Sequence, residues 1–256
     1  MNPTRNGTAD VPRALRGSEA VVLDTDGVIT DSARLHAVAW KTAFDAFLRV
    51  HRPADPAQRR PFDVREDYLR YVDGKSRLDG AAAFLESRGV RLPDVELQAV
   101  AASKERLFTT RLREHGVDAY PGTVRLLHAL RSAGVPLAAA SASRHARELL
   151  ERAGVLTLFG ALVDGGEAAR LHLPGKPDPA LFMEAARRLG VPASRTAVVE
   201  DALAGVEAGR RGGFGLVIGV DRARTPQTRA ELLKHGADIV VRDLAELLTD
   251  SDCPEG

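Results

Sequence analysis

The chain has little cysteine, little net charge and no long apolar run, and each shortage removes a class of protein. The single cysteine among 256 residues, Cys253, lies in a polar C-terminal stretch. An internal disulfide framework is excluded, and a reducing compartment, the cytoplasm by default, suits the chain. Lysine and arginine total 36 against 35 aspartates and glutamates, a formal net charge of +1. No global field favours a polyanion, so nucleic acid is not an expected partner. No apolar stretch approaches the roughly 18 to 20 residues of a membrane span, and the first twenty residues lack the apolar middle of a secretion signal. No membrane partner is expected either. Internal repeats and long low-complexity segments are absent.

What is present begins with the apolar run Ala20-Val21-Val22-Leu23, which ends in Asp24, Asp26 and then Gly27. On an extended segment side chains repeat every two residues, so the two carboxyl groups face one pocket while Thr25 points away. Two negative groups held that close repel, and a divalent cation is the simplest remedy. The competing reading is a plain turn, since Asp and Gly are common turn formers.

A length of 256 residues suits one core carrying an inserted subdomain. Helical spacing runs from Ser32 to Leu48, Val64 to Val72, Asp79 to Gly89 and Pro93 to Glu114, so residues 33–117 read as an all-helical unit. From Pro121 onward helices alternate with short apolar strands. The helices are Val124–Ala133, His145–Ala153, Pro179–Leu189, Gly205–Gly209 and about Gln227–His235. The strands are Pro136–Ala140, Leu162–Asp164, Thr196–Glu200, Gly215–Val220 and Asp238–Val240. Such alternation predicts an α/β fold, a parallel sheet with helices on both faces, to which the first strand must also belong. The expected domains are therefore a core of residues 18–32 and 118–248, an insertion of 33–117, and flexible tails at 1–17 and 249–256.

In open parallel sheets ligands bind beyond the carboxyl ends of the strands. Four polar groups fall there or in the adjoining loops: Asp24 with Asp26, Ser141-Ala142-Ser143, Gly175-Lys176-Pro177, and Glu200-Asp201. An aspartate, a hydroxyl, a lysine and an acidic pair are the parts of a metal-assisted phosphoryl-transfer site. Asp24 suits the nucleophile, giving a reactive acyl phosphate, and Asp26 the paired acid and base. Ser141 suits a donor to a phosphate oxygen, or else a helix cap. Lys176 offsets the charge of phosphate and Asp24, or else is a solvated loop residue. Glu200 and Asp201 are costly at a buried strand end unless they bind a cation; otherwise they are exposed acids in a turn.

The blocks Asp24-Thr25-Asp26-Gly27-Val28, Ser141-Ala142-Ser143, Gly175-Lys176-Pro177 and Glu200-Asp201-Ala202-Leu203-Ala204-Gly205 resemble the four motifs of the haloacid dehalogenase superfamily of phosphotransferases. The resemblance covers residues 20 to about 245 and is nearest to the beta-phosphoglucomutase subfamily. It implies a Rossmann-like parallel three-layer sandwich with a helical cap inserted after the first motif. It also implies Mg2+ held by Asp24, Asp26, Glu200 and Asp201, and glucose 1,6-bisphosphate as intermediate. Thr30-Asp31-Ser32, His36 and Trp40 are similar to the family's core-to-cap link, in which the histidine aids the proton-transfer switch of the acid/base aspartate. Asp73-Gly74-Lys75-Ser76-Arg77 resembles the substrate loop of the mutases, whose arginine grips the remote phosphate; a bidentate guanidinium suits that task. Lys104 is similar to a second cap contact, and Ala142, Ser143, Arg144 and His145 to the segment contacting the substrate's other end. Arg144 and His145 replace the commoner Lys and Asn, and Thr25 replaces a large apolar residue.

The implied activity is that of an enzyme acting on a small phosphorylated sugar, expected as a monomer. Water as the acceptor from Asp24 makes a sugar-phosphate phosphatase; a cap that excludes water and lets a sugar bisphosphate turn over makes a mutase. Arg77 and His36 favour the mutase. A non-catalytic sugar-phosphate binder is disfavoured, since no catalytic position carries an inert residue.

Overall fold

The computed structural model describes residues 11–248. Its six strands are β1 Ala20–Leu23, β2 Leu137–Ala140, β3 Ala161–Val163, β4 Thr196–Glu200, β5 Leu216–Val220 and β6 Ile239–Val241. They form one parallel sheet in the order β3-β2-β1-β4-β5-β6. β1 is central and buried on both faces, which is why it reads as an unbroken apolar run rather than an alternating one. The pleat sends Val21 and Leu23 to one layer, with Leu126, Leu130, Leu150 and Leu244. Val22 goes to the other, with Phe182, Val206 and Leu232. Helices α4 (Pro121–Ser132) and α5 (Ala146–Arg152) supply the first layer. The second is built from α7 (Ala180–Leu189), α8 (Leu203–Arg211) and α9 (Pro226–Lys234).

Between β1 and α4 the chain leaves the sheet for α1 (Ala33–Val50), a π-helical turn at Tyr68–Val72, α2 (Arg77–Ser87) and α3 (Asp94–His115). This helical insertion has its own aromatic core. Trp40 stacks on Phe44 with centroids 4.7 Å apart, and Phe84 lies 4.2 Å from Phe44 and 5.0 Å from Phe62. Buried Asp67 accepts from Arg60 and from Arg88 at 2.7 Å each. A smaller apolar cluster joins Ala39, Phe108 and Leu112 of the insertion to Leu149 of α5, setting the insertion over the carboxyl end of the sheet.

Most elements lie within a few residues of the positions their periodicity predicts, and the departures have local causes. The helix expected over Val64–Val72 starts behind the Asp63 carboxylate, which caps the amides of Arg65 and Glu66 at 2.8 Å each, and runs from residue 66 into the π-helical turn. A helix absent from the sequence reading, α6 (Gly165–Arg170), is held by Asp164, which accepts from Gly166 and Glu167 at 2.9 Å. Six residues opening on two glycines carry too little periodicity to be seen. The last strand starts at Ile239 rather than Asp238, whose carboxylate instead receives the Val217 amide at 2.7 Å and pairs with Arg210. The N-terminal tail expected to reach residue 17 is also shorter. Arg13–Leu15 forms a 3-10 turn, and Leu15, only 1% exposed, packs into the core because an apolar side chain there completes the layer. The rest of that expected tail, residues 1–10, and the whole of the C-terminal one, 249–256, lie outside the described residues.

Candidate active site

The chain order places β1 beside β4, where the sheet's direction of growth reverses, and the strands' carboxyl ends bring Asp24 and Glu200 together. Asp24, Glu200 and Asp201 each offer a carboxylate oxygen, all within 4.8 Å of one another. Lys176, 3% exposed, donates to Asp24 Oδ1 at 2.6 Å and to Glu200 Oε2 at 3.1 Å. The solvated-loop reading of this lysine and the exposed-turn reading of Glu200 are thereby excluded. Gly27 has φ +78°, and a side chain there would overlap the Asp201 carboxylate, so the residue after Asp26 must be glycine for the acids to converge.

This cluster fits a divalent cation. Burial raises the pKa of Asp24, with the charge of Asp26 adding and Lys176 opposing. Burial likewise raises Glu200, helped by Asp24, and Asp201, helped by Asp73 and Glu200. In Lys176 burial is outweighed by the charges of Asp24 and Glu200, and its pKa lies above the usual lysine range. Glu200 Oε1 is buried with no hydrogen-bond partner, an arrangement costly for a carboxylate unless a cation takes it.

Asp26, expected among the metal ligands, turns its carboxylate elsewhere. Oδ1 accepts from Ser32 Oγ at 2.5 Å and Oδ2 from Ser141 Oγ at 3.1 Å. His36 Nε2 approaches Oδ1 at 3.2 Å, off the line of a well-formed hydrogen bond. Burial alone would raise the Asp26 pKa, but these partners outweigh it and hold the carboxyl ionised, below the usual range. Behind His36 stands Lys104 of α3, whose Nζ lies 2.7 Å from His36 Nδ1. Burial, then the charge of Lys104, lowers the His36 pKa against the pull of Asp26. With the Lys104 ammonium donating to Nδ1, the ring proton lies on Nε2, toward Asp26. Lys104 is itself brought down to about 8, burial and Arg77 acting against Glu105 and Asp26. It lies 4.9 Å from the Phe108 ring centroid and 5.3 Å from that of Trp40, which compensates part of its burial.

Between insertion and core lies a cavity of about 390 Å³, within the roughly 300–1,000 Å³ usual for small-molecule sites. Asp24, Asp26, Lys176, Glu200 and Asp201 form its floor. Of the residues expected from the insertion, His36, Trp40, Gly74, Lys75, Ser76, Arg77 and Lys104 all line it, and Ala142, Ser143 and Arg144 face them from the core. Two expectations need correction. Ser141, fully buried, commits its hydroxyl to Asp26 and to the Ser143 amide at 3.0 Å and does not line the cavity. His145, expected to meet substrate, is not in the lining either: its Nε2 lies 2.8 Å from Glu105 Oε1 on α3, a carboxylate that attracts an imidazole more strongly than a sugar hydroxyl does.

The sequence reading did not single out Tyr68, Asp73 or Glu105 as site residues, although all three line the cavity. Asp73 stands in the recognised loop, and burial with the charge of Asp24 brings its pKa up to about 7. Nothing in the sequence marks Tyr68 or Glu105, which reach the site through the packing of helices distant in the chain.

The family model of haloacid dehalogenase-like hydrolases matches residues 19–213. A beta-phosphoglucomutase of Mycobacterium bovis is 40% identical over 253 residues, covering 95% of each chain. A phosphorylated carbohydrates phosphatase of Thermotoga maritima is 29% identical over 228 residues, 88% of this chain and 94% of its own. Among solved structures, a beta-phosphoglucomutase of Clostridium difficile superposes with a TM-score of 0.69 at 26% identity, covering 90% of this chain and 93% of the other. Among the described residues no helix is long and apolar enough to cross a membrane.

Proposed function

The chain belongs to the haloacid dehalogenase-like hydrolase family, and we propose that within it the protein is a beta-phosphoglucomutase, interconverting beta-D-glucose 1-phosphate and glucose 6-phosphate through glucose 1,6-bisphosphate. The observation that carries this reading is the run from Asp26 through His36 to Lys104. It connects the acid/base carboxyl on the core to the inserted cap, so proton transfer is competent where the cap is seated over the cavity. A phosphatase has less need of such a connection, because water reaches an open site unaided.

In this mechanism an oxygen of Asp24 attacks the phosphorus of a sugar phosphate, and the bond to the sugar oxygen breaks as the Asp24–phosphorus bond forms. Asp26, ionised as it stands, takes up a proton from solvent before this step and gives it to the departing sugar oxygen. In the second half a sugar hydroxyl attacks phosphorylated Asp24 and gives its proton to Asp26, restoring both aspartates. Lys176 steadies the oxygens shared by Asp24 and the phosphoryl group. Arg77 and Lys75 from the cap, with Arg144 from the core, supply positive charge for the phosphate remote from reaction, so that the bisphosphate can bind in either orientation. Mg2+ held by Asp24, Glu200 and Asp201 would neutralise charge between the nucleophile and the phosphoryl oxygens. The protein acts in this reading as a cytoplasmic monomer.

The test supplies purified protein with Mg2+, beta-D-glucose 1-phosphate and a trace of glucose 1,6-bisphosphate, and follows glucose 6-phosphate and free phosphate together. Glucose 6-phosphate without stoichiometric free phosphate is expected. Free phosphate as the main product makes the protein a phosphatase and overturns the proposal.

A further inference from the structure

Glu105 sits on α3 of the insertion, directly after Lys104, and is about one-quarter exposed. Its Oε1 meets two cations from different parts of the fold. His145 Nε2, at the start of α5 on the core, is 2.8 Å away, and Arg77 Nη1, in the first turn of α2, is 3.8 Å away. The opposite ring nitrogen of His145 lies 3.6 Å from Glu148 Oε2, and the ring rests 5.1 Å from that of Phe108. Beside it the boundary is apolar, through Phe108 and Leu112 of the insertion and Leu149 of the core. The Glu105–His145 contact is directional, and it uses the oxygen that also faces an arginine at the cavity.

We infer that Glu105 is a positioning residue: it fastens the cap to the core through His145 and, from the same oxygen, holds Arg77 facing the cavity. The proposal rests on the reading that the cap closes for phosphoryl transfer and opens for exchange of the sugar. Opening separates His145 from Glu105 while Arg77 travels with Glu105 in the cap, so the same oxygen faces Arg77 alone when the cap is open and both Arg77 and His145 when it is closed. The contact has its own pH dependence. The hydrogen bond to Glu105 raises the His145 pKa, opposed by burial and by Lys104 and helped by Glu148. Burial alone would raise the Glu105 pKa, but His145, Lys104 and Arg77 outweigh it and bring it to about 2. With His145 raised and Glu105 lowered, the paired charges are complete below the ordinary imidazole range and are lost as pH rises through the elevated His145 value.

The experiment uses the full chain with Cys253→Ser and spin labels at Val95→Cys on the insertion and Leu233→Cys on the core, both exposed side chains. The distance distribution is read at about pH 5.5 and about pH 9, on either side of the imidazole range. The parent is expected to hold a short distance at the lower pH and to gain a longer one at the higher. Glu105→Ala should favour the longer distance roughly tenfold at the lower pH, as suits one half-buried charge-assisted hydrogen bond, and should lose the pH response. His145→Asn, whose amide still donates to Glu105 but does not titrate, should recover most of the short population without pH dependence. A distribution unmoved by Glu105→Ala, or a pH response that survives in it, overturns the inference. In turnover, Glu105→Ala should raise the KM for sugar phosphate more than it lowers kcat. The distance readout needs no turnover, so a protein that failed to isomerise glucose phosphates would still decide the role of Glu105.

Discussion

Lys104 Nζ lies 2.7 Å from His36 Nδ1, which makes a lysine of the insertion the group that sets the tautomer of the imidazole facing Asp26. The two residues are 68 positions apart in the chain. Their contact needs α1 and α3 packed side by side, and it connects the acid/base group to the element that covers the cavity.

Lys104→Met should keep the apolar length of the side chain and its packing on Phe108 while removing the donor to His36. The loss of one hydrogen bond to a charged group, about 1.5–3 kcal/mol, corresponds to a fall in kcat of roughly 10- to 150-fold. Steady-state kinetics with sugar phosphate should show this fall mainly in kcat. An unchanged kcat would remove Lys104 from control of the proton switch.

Asp24→Asn should abolish turnover and leave the fold intact, because the amide keeps the shape but cannot attack phosphorus. Phosphoprotein trapped by rapid acid quench should appear with the parent and be absent from the variant. Activity retained in Asp24→Asn would assign the nucleophile to another residue.

Lys176→Met leaves Asp24 and Glu200 buried without their shared ammonium. Removing one partner of a buried ion pair costs about 3–5 kcal/mol, and urea unfolding without added metal should show a loss of that order. The variant should also recover more stability from Mg2+ than the parent does, since the cation becomes the remaining counter-charge. Equal stability in both proteins would contradict the buried ion pairs.

Removal of divalent cations with a chelator should stop turnover, and Mg2+ should restore it. A cation that binds the native state alone stabilises by about 2.7 kcal/mol at a hundredfold excess over its Kd, so Tm should rise with added Mg2+. In Glu200→Gln the rise should be much smaller, because the neutral amide removes one of three converging carboxylates. An undiminished rise would place the cation elsewhere.

Thr25→Val should stabilise the protein. Thr25 is fully buried and its hydroxyl has no hydrogen-bond partner, an arrangement that costs about 1–3 kcal/mol. Valine has the same branched shape without the hydroxyl, so denaturant unfolding should show a gain of about 1 kcal/mol or more with kcat unchanged. A loss of stability would mean that the hydroxyl is satisfied in solution.

The sheet and the floor of the site were legible in the sequence because their signals are local. The buried run Ala20–Leu23, the two-residue spacing of Asp24 and Asp26, and the acids after Val199 each sit at a strand end, and parallel topology then gathers strand ends at one edge. The dispositions of Ser141 and His145 were not legible. Each is a polar side chain with more than one partner within reach, and the choice depended on where Asp26 and Glu105 came to lie. The helix Gly165–Arg170 and the burial of Leu15 escaped for a related reason: the first is too short for periodicity, and the second is one apolar residue in a polar stretch.

By itself, then, the sequence determined the alternation of strands and helices, the order of the catalytic blocks and the chemical types at the strand ends, since these follow from backbone geometry and neighbouring residues. Tertiary structure alone decided which carboxylates converge on a cation site, that Asp26 turns instead to Ser32, Ser141 and His36, and that Lys104 and Glu105 of one helix face His36 and His145. The longer of these pairings span 40 positions for Glu105 and His145, 68 for Lys104 and His36, 115 for Asp26 and Ser141, and 177 for Asp24 and Asp201. The cap pairings are set by packing of the insertion's aromatic core and the small cluster around Phe108 and Leu149, and the meeting of Asp24 with Glu200 by the β1–β4 pairing, none of which a local pattern encodes.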